Sequence, residues 1–457
     1  MKKSTNILFI ACWLVVSVLA SGCEKFLDAD QPLQVREDEV FSTEKGFEEA
    51  INGVYLQMGT SALYGRDLSY GLLSVLGRSY DTTITPAIGA LYYEGARYNF
   101  ANNAVKNAIK LIWDSSYQCI ANLNHLLEIA PSRKGIFTGD KFNLVTGEAY
   151  ALRAFLHFDL VRMFGPADAR NNLTVPAIPY VTRVSPYPVP TLTTAAAIDS
   201  CISDLKKAEA LITEKTKKHG HLRYWGIRAL LARIYLYKGD LANARSYAQD
   251  VITNGGYLQA TGNSDYSFTS EHVFNLVVYL GQLGTMTKGV FNISTPLGLL
   301  PANQNALYVT GSGATTDWRR SGAFIDPLTG STSNSSNPNA VIMPRKFNNP
   351  ANNVLPMIRL SEMYYIVAEC AAATGENQVA TERLNSVRAS RNLPAYGLPA
   401  LSTDSLRAEI AMEYQKEMLG DGQVFYFYKR NNLPFASLPF TKVPVVANAS
   451  YVFPKPE

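Results

Sequence analysis

Apolar residues recur along most of this chain at three- and four-residue steps, the spacing that lines one face of an α-helix. Ser42 reads as an N-cap opening a helix to about Met58, with Phe47, Ala50, Ile51, Val54 and Tyr55 on one face. Tyr64 to Phe100 reads as irregular. A long helix follows to Ala130, where Pro131 ends it. Another runs from about Lys141 to Phe164 and stops at Gly165-Pro166. Residues 166–191 hold six prolines, which predicts an extended segment crossing between lobes. A helix over Thr194–Ile212 comes next. Then the pattern predicts a helical pair, His221–Tyr237 and Leu241–Thr253, turning at Lys238-Gly239-Asp240. A second pair spans Ile358–Thr374 and Gln378–Arg391. Tyr257 to Pro356 between them reads mostly as loop, and Ser331–Asn339 has no structural pattern at all. Thr403–Leu419 reads as the last helix.

Each pair occupies about 34 residues, the period of tetratricopeptide units. Ala232, Ala244 and Ala248 are small enough to let the first pair close, and Ala368, Ala371 and Ala372 do the same in the second. Two helices cannot bury a face alone, so 103–130 and 141–164 are the expected neighbours. The fold class is therefore mainly α: a tetratricopeptide-like superhelix of helical pairs with a loop-rich capping half.

Composition narrows this further. The chain has 457 residues, more than one ordinary core holds. At 47% hydrophobic and 18% charged residues it is neither disordered nor a multi-pass membrane protein. The net charge of +4 argues against nucleic acid. Two of those positive charges, Lys2 and Lys3, precede a 13-residue apolar run, Ile7–Leu19, that is too short to span a bilayer comfortably. Ala20-Ser21-Gly22 and then Cys23 complete the order of a bacterial lipoprotein signal, in which Cys23 is acylated. The expected divisions are residues 1–22 (signal), 23–41 (anchor and tether), 42–256 (helical-repeat half) and 257–457 (loop-rich half). Cys119, Cys201 and Cys370 remain, an odd number inside helical apolar patterns, and read as buried thiols.

No H-E-x-x-H, G-x-S-x-G, phosphate-binding loop or EF-hand is present, and no cofactor or metal motif stands out. Gly311-Ser312-Gly313 lacks a strand before it and a helix after it. His219 and His221 sit in a Lys-rich turn and read as solvated. His125 and His157 read as packing or capping groups. Glu413 and Glu417 share a helix face, and an ion-pair network with Arg383, Arg388 or Arg391 suits them better than acid–base work. Aromatics inside the irregular segments carry more information. Tyr80, Tyr92, Tyr93 and Tyr98 lie in the first such segment with Arg78 and Asp81, and Trp318 lies in the second with Arg320. A flat ring stacks on the apolar face of a pyranose while Arg and Asp bond its hydroxyls, so these eight residues are the candidate ligand site. The competing reading makes the rings anchors of long loops.

These features together resemble the SusD/RagB family of Bacteroidetes outer-membrane nutrient-binding lipoproteins. The resemblance starts at Cys23 with Phe26-Leu27-Asp28 and continues through Phe41 to Gln57. Gly147-Glu148-Ala149, Leu152-Arg153-Ala154 and Phe164-Gly165 reproduce the family's G-E-A-x-x-L-R-A and F-G stretch. Arg359-Leu360-Ser361-Glu362, Leu384-Asn385-Ser386-Val387-Arg388, Gly420-Asp421-Gly422 and the closing Phe453-Pro454-Lys455-Pro456 follow in order. Tyr414 and Gln423 stand where the terminal motif usually has Arg. The resemblance implies a helical superhelix capped by a loop-rich half and no catalysis. It further implies a lipoprotein on the outer membrane that captures an oligosaccharide, or sometimes a peptide, and hands it to a TonB-dependent transporter. A protein-interaction scaffold without a small ligand is the alternative; a hydrolase using paired carboxylates is the third.

Replacing Cys23 by Ala is expected to release the protein from the outer membrane with its fold intact. Cell fractionation checks this, and wild-type membrane retention would refute the lipoprotein reading.

Overall fold

The computed structural model describes residues 37–80, 85–291, 297–308, 317–325, 341–347, 353–397, 401–439 and 443–456. The leader with Cys23, Asp81, Gly311–Gly313 and Ser331–Asn339 lie outside them.

The helices that carry the fold are α1 (Glu44–Met58), α2 (Asn103–Ile129), α3 (Lys141–Phe164), α4 (Thr194–Leu211), α5 (Tyr224–Lys238), α6 (Leu241–Asn254), α7 (Leu360–Ala373), α8 (Asn377–Ser390), α9 (Thr403–Glu417) and α10 (Gln423–Arg430). Thr43, one residue beyond the expected Ser42, caps α1 by accepting the Gly46 amide. Successive helices from α1 to α8 pack side by side in one array, and α9 packs on α7. The array does not stop at Gly256. Helix α7 lies on α6 although about a hundred residues separate them. Ala244 and Ala248 on α6 and Ala368, Ala371 and Ala372 on α7 are buried, as close approach requires. Helix α3 also packs closely against the end of α4. A Cβ at Gly147 would stand 2.7 Å from Ile212 Cγ1, so the glycine of the G-E-A stretch is needed for this contact.

Residues between α6 and α7 leave and rejoin the array through an antiparallel ribbon, His272–Val277 against Val354–Arg359, with His272 opposite Arg359 and Val277 opposite Val354. Short helices at Leu280–Val290, Pro301–Tyr308 and Trp318–Gly322 lie within this insertion, where loop was expected. Leu72–Leu76 and Ala90–Ala96 are likewise helical within the first irregular segment. Both segments mix Gly and Tyr without a long periodic run, so tertiary packing rather than local pattern sets their helices.

The Pro-rich stretch does not cross between lobes. Pro176–Pro179 pairs with Thr191–Thr193, and the segment is a strap on the first half. Tyr117 Oη and Asn124 Nδ2 donate to the carbonyls of Pro179 and Val181 at 2.8 and 3.0 Å. The Val181 amide donates to His157 Nε2 at 3.0 Å, which places the imidazole proton on Nδ1, 2.9 Å from the Arg153 carbonyl. Burial pushes the His157 pKa down to about 3, so this neutral form persists across the physiological range. Cys119, Cys201 and Cys370 are buried free thiols, as expected. Burial pushes Cys119 and Cys370 up to about 12, which makes them inert.

A fully buried set of charges fastens the insertion to the last helices. Glu417 accepts from Arg319 Nη1, Arg359 Nη1 and Arg391 Nη2, each at 2.6 Å. Arg319 also donates to Asp317 at 2.7 Å and Glu413 at 3.1 Å. Arg391 reaches Glu271 at 2.6 Å, and Arg359 reaches Asp421 at 3.1 Å. Lys346 pairs with Asp421, and Lys416 pairs with Glu413 at 3.3 Å. Five cations thus face five anions, all buried. Gly420 and Gly422 flank Asp421 at φ +77° and +73°, a turn that L side chains rarely adopt, and this turn sets the Asp421 carboxylate beside Arg359. The expected network therefore exists, and it uses Arg391. Arg388 instead donates to the Pro394 carbonyl and Tyr396.

Burial by itself would raise the Glu417 carboxyl, but Arg391, Arg359 and Arg319 hold it well below the ordinary range. Glu417→Gln removes the charge that three guanidiniums share, and it is expected to destabilise the protein by about 3–5 kcal/mol. A depressed folded pKa stabilises above the unfolded value of about 4.3 and ceases to do so as pH falls through the folded one. Wild-type stability should therefore fall below about pH 4.5, and the variant's curve should be flatter there. Denaturant melts from pH 7 to pH 3 check both.

Candidate functional site

The eight candidate residues fall into different surroundings, and the described ones do not come together as one site. Tyr80 is 1% exposed; its hydroxyl donates to the Tyr70 carbonyl at 2.7 Å, and its ring meets Phe291 at 6.1 Å. Tyr92 is buried in the same core. Tyr98 is 1% exposed against Phe435 and Tyr451, at 4.7 and 5.8 Å between ring centres. Arg78 is buried beside it at φ +54°, with Nη2 3.4 Å from the Val443 carbonyl. Burial lowers the Arg78 pKa. Trp318 belongs to a separate small cluster with Phe268 and Ala260, and its Nε1 donates to the Ser390 carbonyl at 2.9 Å. Tyr93, under the Arg97 guanidinium at 5.7 Å, is half-buried, and so is Arg320, held by Asn305 Oδ1 at 2.8 Å. Asp81 lies outside the described residues. The buried rings anchor their segments; Tyr93 and Arg320 alone of the described seven reach the surface.

The physical reason is the scarcity of long apolar faces in these two segments. Aromatic rings help fill the core beneath these backbones, and the Tyr80 and Tyr98 hydroxyls and the Trp318 indole N–H donate to the carbonyls of Tyr70, Leu76 and Ser390. Sequence pattern does not separate such an anchor from a stacking ring. His219 stays exposed as expected, whereas His221 is half-buried and departs from the solvated turn expected of it. His221 Nδ1 lies 2.8 Å from Glu148 Oε1, and His219 Nδ1 lies 3.0 Å from Asn275 Nδ2 on the insertion ribbon. Glu148 also accepts from Tyr55 Oη at 2.5 Å and pairs with Arg223 at 3.0 Å, which accounts for the acid in the G-E-A stretch.

A polar groove opens elsewhere, between α2, α3, α4 and the strap. Its volume is about 390 Å³. Its floor is the buried pair Arg153–Asp204: Nε and Nη2 of Arg153 donate to the two carboxylate oxygens at 2.7 and 2.9 Å. Tyr180 Oη donates to Asp204 at 2.7 Å, and Arg153 Nη1 donates to Asn124 Oδ1 at 2.8 Å. Tyr180 stacks on His157 with ring centres 3.9 Å apart. Tyr150, Ser200, Ser203, Lys207, Glu128 and Thr182 form the walls. The sequence reading missed this groove because its parts come from four elements. Arg153 was its one visible sign, inside the most specific stretch.

Residues 25–236 match a SusD-like family model described as starch-binding and associating with the outer membrane, and residues 245–446 match the SusD family model. The chain belongs to the SusD/RagB family. SusD-like protein P2 of Formosa agariphila is 25% identical over 301 residues, which cover 63% of this chain and 56% of that protein, little more than half the relative's length. A SusD superfamily structure from Bacteroides thetaiotaomicron superposes with a TM-score of 0.70 at 24% identity, covering 85% of this chain and 89% of the other. A SusD-like carbohydrate binding protein from Bacteroides vulgatus gives 0.68 at 18% identity, with 85% and 83% covered. The helical superhelix with its loop-rich half is the fold these structures share with this chain.

Trp318→Ala should empty the small cluster around Phe268 and leave the Ser390 carbonyl without its donor, at a cost of about 3 kcal/mol. A thermal melt checks this; an unchanged midpoint would show that the ring contributes nothing to the core.

Proposed function

We propose that the protein is a surface lipoprotein that captures an oligosaccharide and delivers it to a TonB-dependent outer-membrane transporter, without chemical change to the ligand. The carrying observation is the family match over residues 25–236 and 245–446, on a helical array with a clasped insertion. The divisions 1–22, 23–41, 42–256 and 257–457 belong to this reading, with Cys23 as the lipid anchor and the folded part facing the exterior. No helix among the described residues is long and apolar enough to cross a membrane, and a lipid anchor requires none. Glu413 and Glu417 are tied into salt bridges with Arg319, Lys416, Arg359 and Arg391, which supports a structural role for this carboxylate pair. In this reading Tyr93 and Arg320, the half-buried members of the eight candidates, are the ones open to a ligand.

A glycan array probed with the purified protein tests the reading. Selective retention of one oligosaccharide class is expected, along with co-purification of a barrel transporter from solubilised outer membranes. Capture of peptides with no glycan bound would overturn the oligosaccharide assignment.

A further inference from the structure

We propose that the groove between α2, α3, α4 and the strap is a saccharide subsite on the helical half, shaped for one or two neutral pyranose rings. The proposal rests on the glycan-binding reading and names a site for it away from both aromatic segments. The volume of about 390 Å³ falls within the range of small-molecule sites, roughly 300–1,000 Å³.

Charge decides the class of ligand. The one buried guanidinium, Arg153, is neutralised by Asp204 through two parallel hydrogen bonds, and its remaining nitrogen is taken by Asn124. No buried positive charge is left for a phosphate or carboxylate. The walls carry one exposed cation, Lys207, and one exposed anion, Glu128. Lys207 Nζ lies 3.4 Å from Asp204 Oδ1, and Glu128 spends only Oε1, on the Val184 amide at 3.1 Å. Both keep hydrogen-bonding capacity of opposite kind. Among the described residues, the hydroxyls of Tyr150, Ser203 and Thr182 have no protein partner. Each can donate and accept. Mixed donors and acceptors with no net charge match vicinal hydroxyls, which are themselves both.

Tyr150 supplies the ring. It is half-buried, and Arg153 and Lys207 lie 5.2 and 5.3 Å from its centre. The floor is already rigid. Asp204 is held by Arg153 and Tyr180, Tyr180 by its stack on His157, and the strap by His157, Asn124 and Tyr117. A ligand would therefore order little of the protein on binding, which favours affinity from few contacts.

The test titrates the purified protein with maltotriose, cellotriose and xylotriose, by calorimetry and saturation-transfer NMR. Ser203→Trp fills the groove from an exposed position without touching the buried pair. Tyr150→Leu removes the ring and its hydroxyl. Ser203→Trp should weaken binding of the preferred trisaccharide at least about ten-fold. Tyr150→Leu should weaken it about five-fold, within the range for one stacking ring. Both variants should melt as the wild type does. Galacturonate trimers, the charged comparison, should bind no tighter than the neutral sugars. Undiminished binding in both variants overturns the groove and leaves the glycan reading standing. Preference for the charged trimer overturns the neutral assignment. Failure of the wild type to bind any trisaccharide overturns the subsite, while the glycan array judges the broader reading separately.

Discussion

The Glu417 carboxylate, shared by three buried guanidiniums, is the contact on which the arrangement of this molecule depends. Arg319 comes from the insertion, Arg359 from the strand that ends it, and Arg391 from the end of α8. One side chain on α9 therefore ties together segments nearly a hundred residues apart. Each ion had to leave water at a cost of several kcal/mol, and attraction in the low-dielectric interior offsets that cost only while every partner is in place. The result is conditional: complete, it holds; with one member removed, uncompensated charges remain buried. Charge balance, five against five, makes the arrangement tolerable, and its geometry makes it specific to one docking of the insertion.

The helical array supplies the other half of that arrangement. Its helices approach through small residues, Gly147 between α3 and α4 and buried alanines between α6 and α7, where α7 joins α6 across the excursion of the insertion. The ribbon His272–Val277 with Val354–Arg359 closes the excursion, and Arg359 then begins both α7 and the charge network. Backbone pairing, small-residue packing and buried charge thus meet at one residue. On the opposite side of the chain order, the strap does comparable work for the groove, since His157 holds it only in the neutral state that burial enforces.

Aromatic residues take on a different meaning in this context. In the segment from Tyr64 to Phe100 and around Trp318, rings share the core with short aliphatic runs such as Leu72–Leu76, in segments without long helices. They go inward, and the polar atoms of Tyr80, Tyr98 and Trp318 bond backbone carbonyls. Tyr150 differs because α3 already has a full apolar complement in Leu152, Phe155 and Leu156, so its ring is left at the groove wall.

By itself the sequence determined the helices with sustained three- and four-residue periodicity, from α1 to α9, along with the caps and proline stops that bound them. It also determined the small residues through which pairs pack and the family to which the chain belongs. These are local properties: a face, a cap or a close approach is written within a few turns of one segment. The tertiary structure alone decided that the Pro-rich segment is a strap, that α7 continues the array from α6, and which arginines meet Glu417. It also decided that Tyr80, Tyr98 and Trp318 face inward while Tyr150 borders a groove. Each of those outcomes depends on groups brought together from distant positions, and no periodicity within a single segment encodes which of two equally suitable rings or guanidiniums will find itself beside its partner.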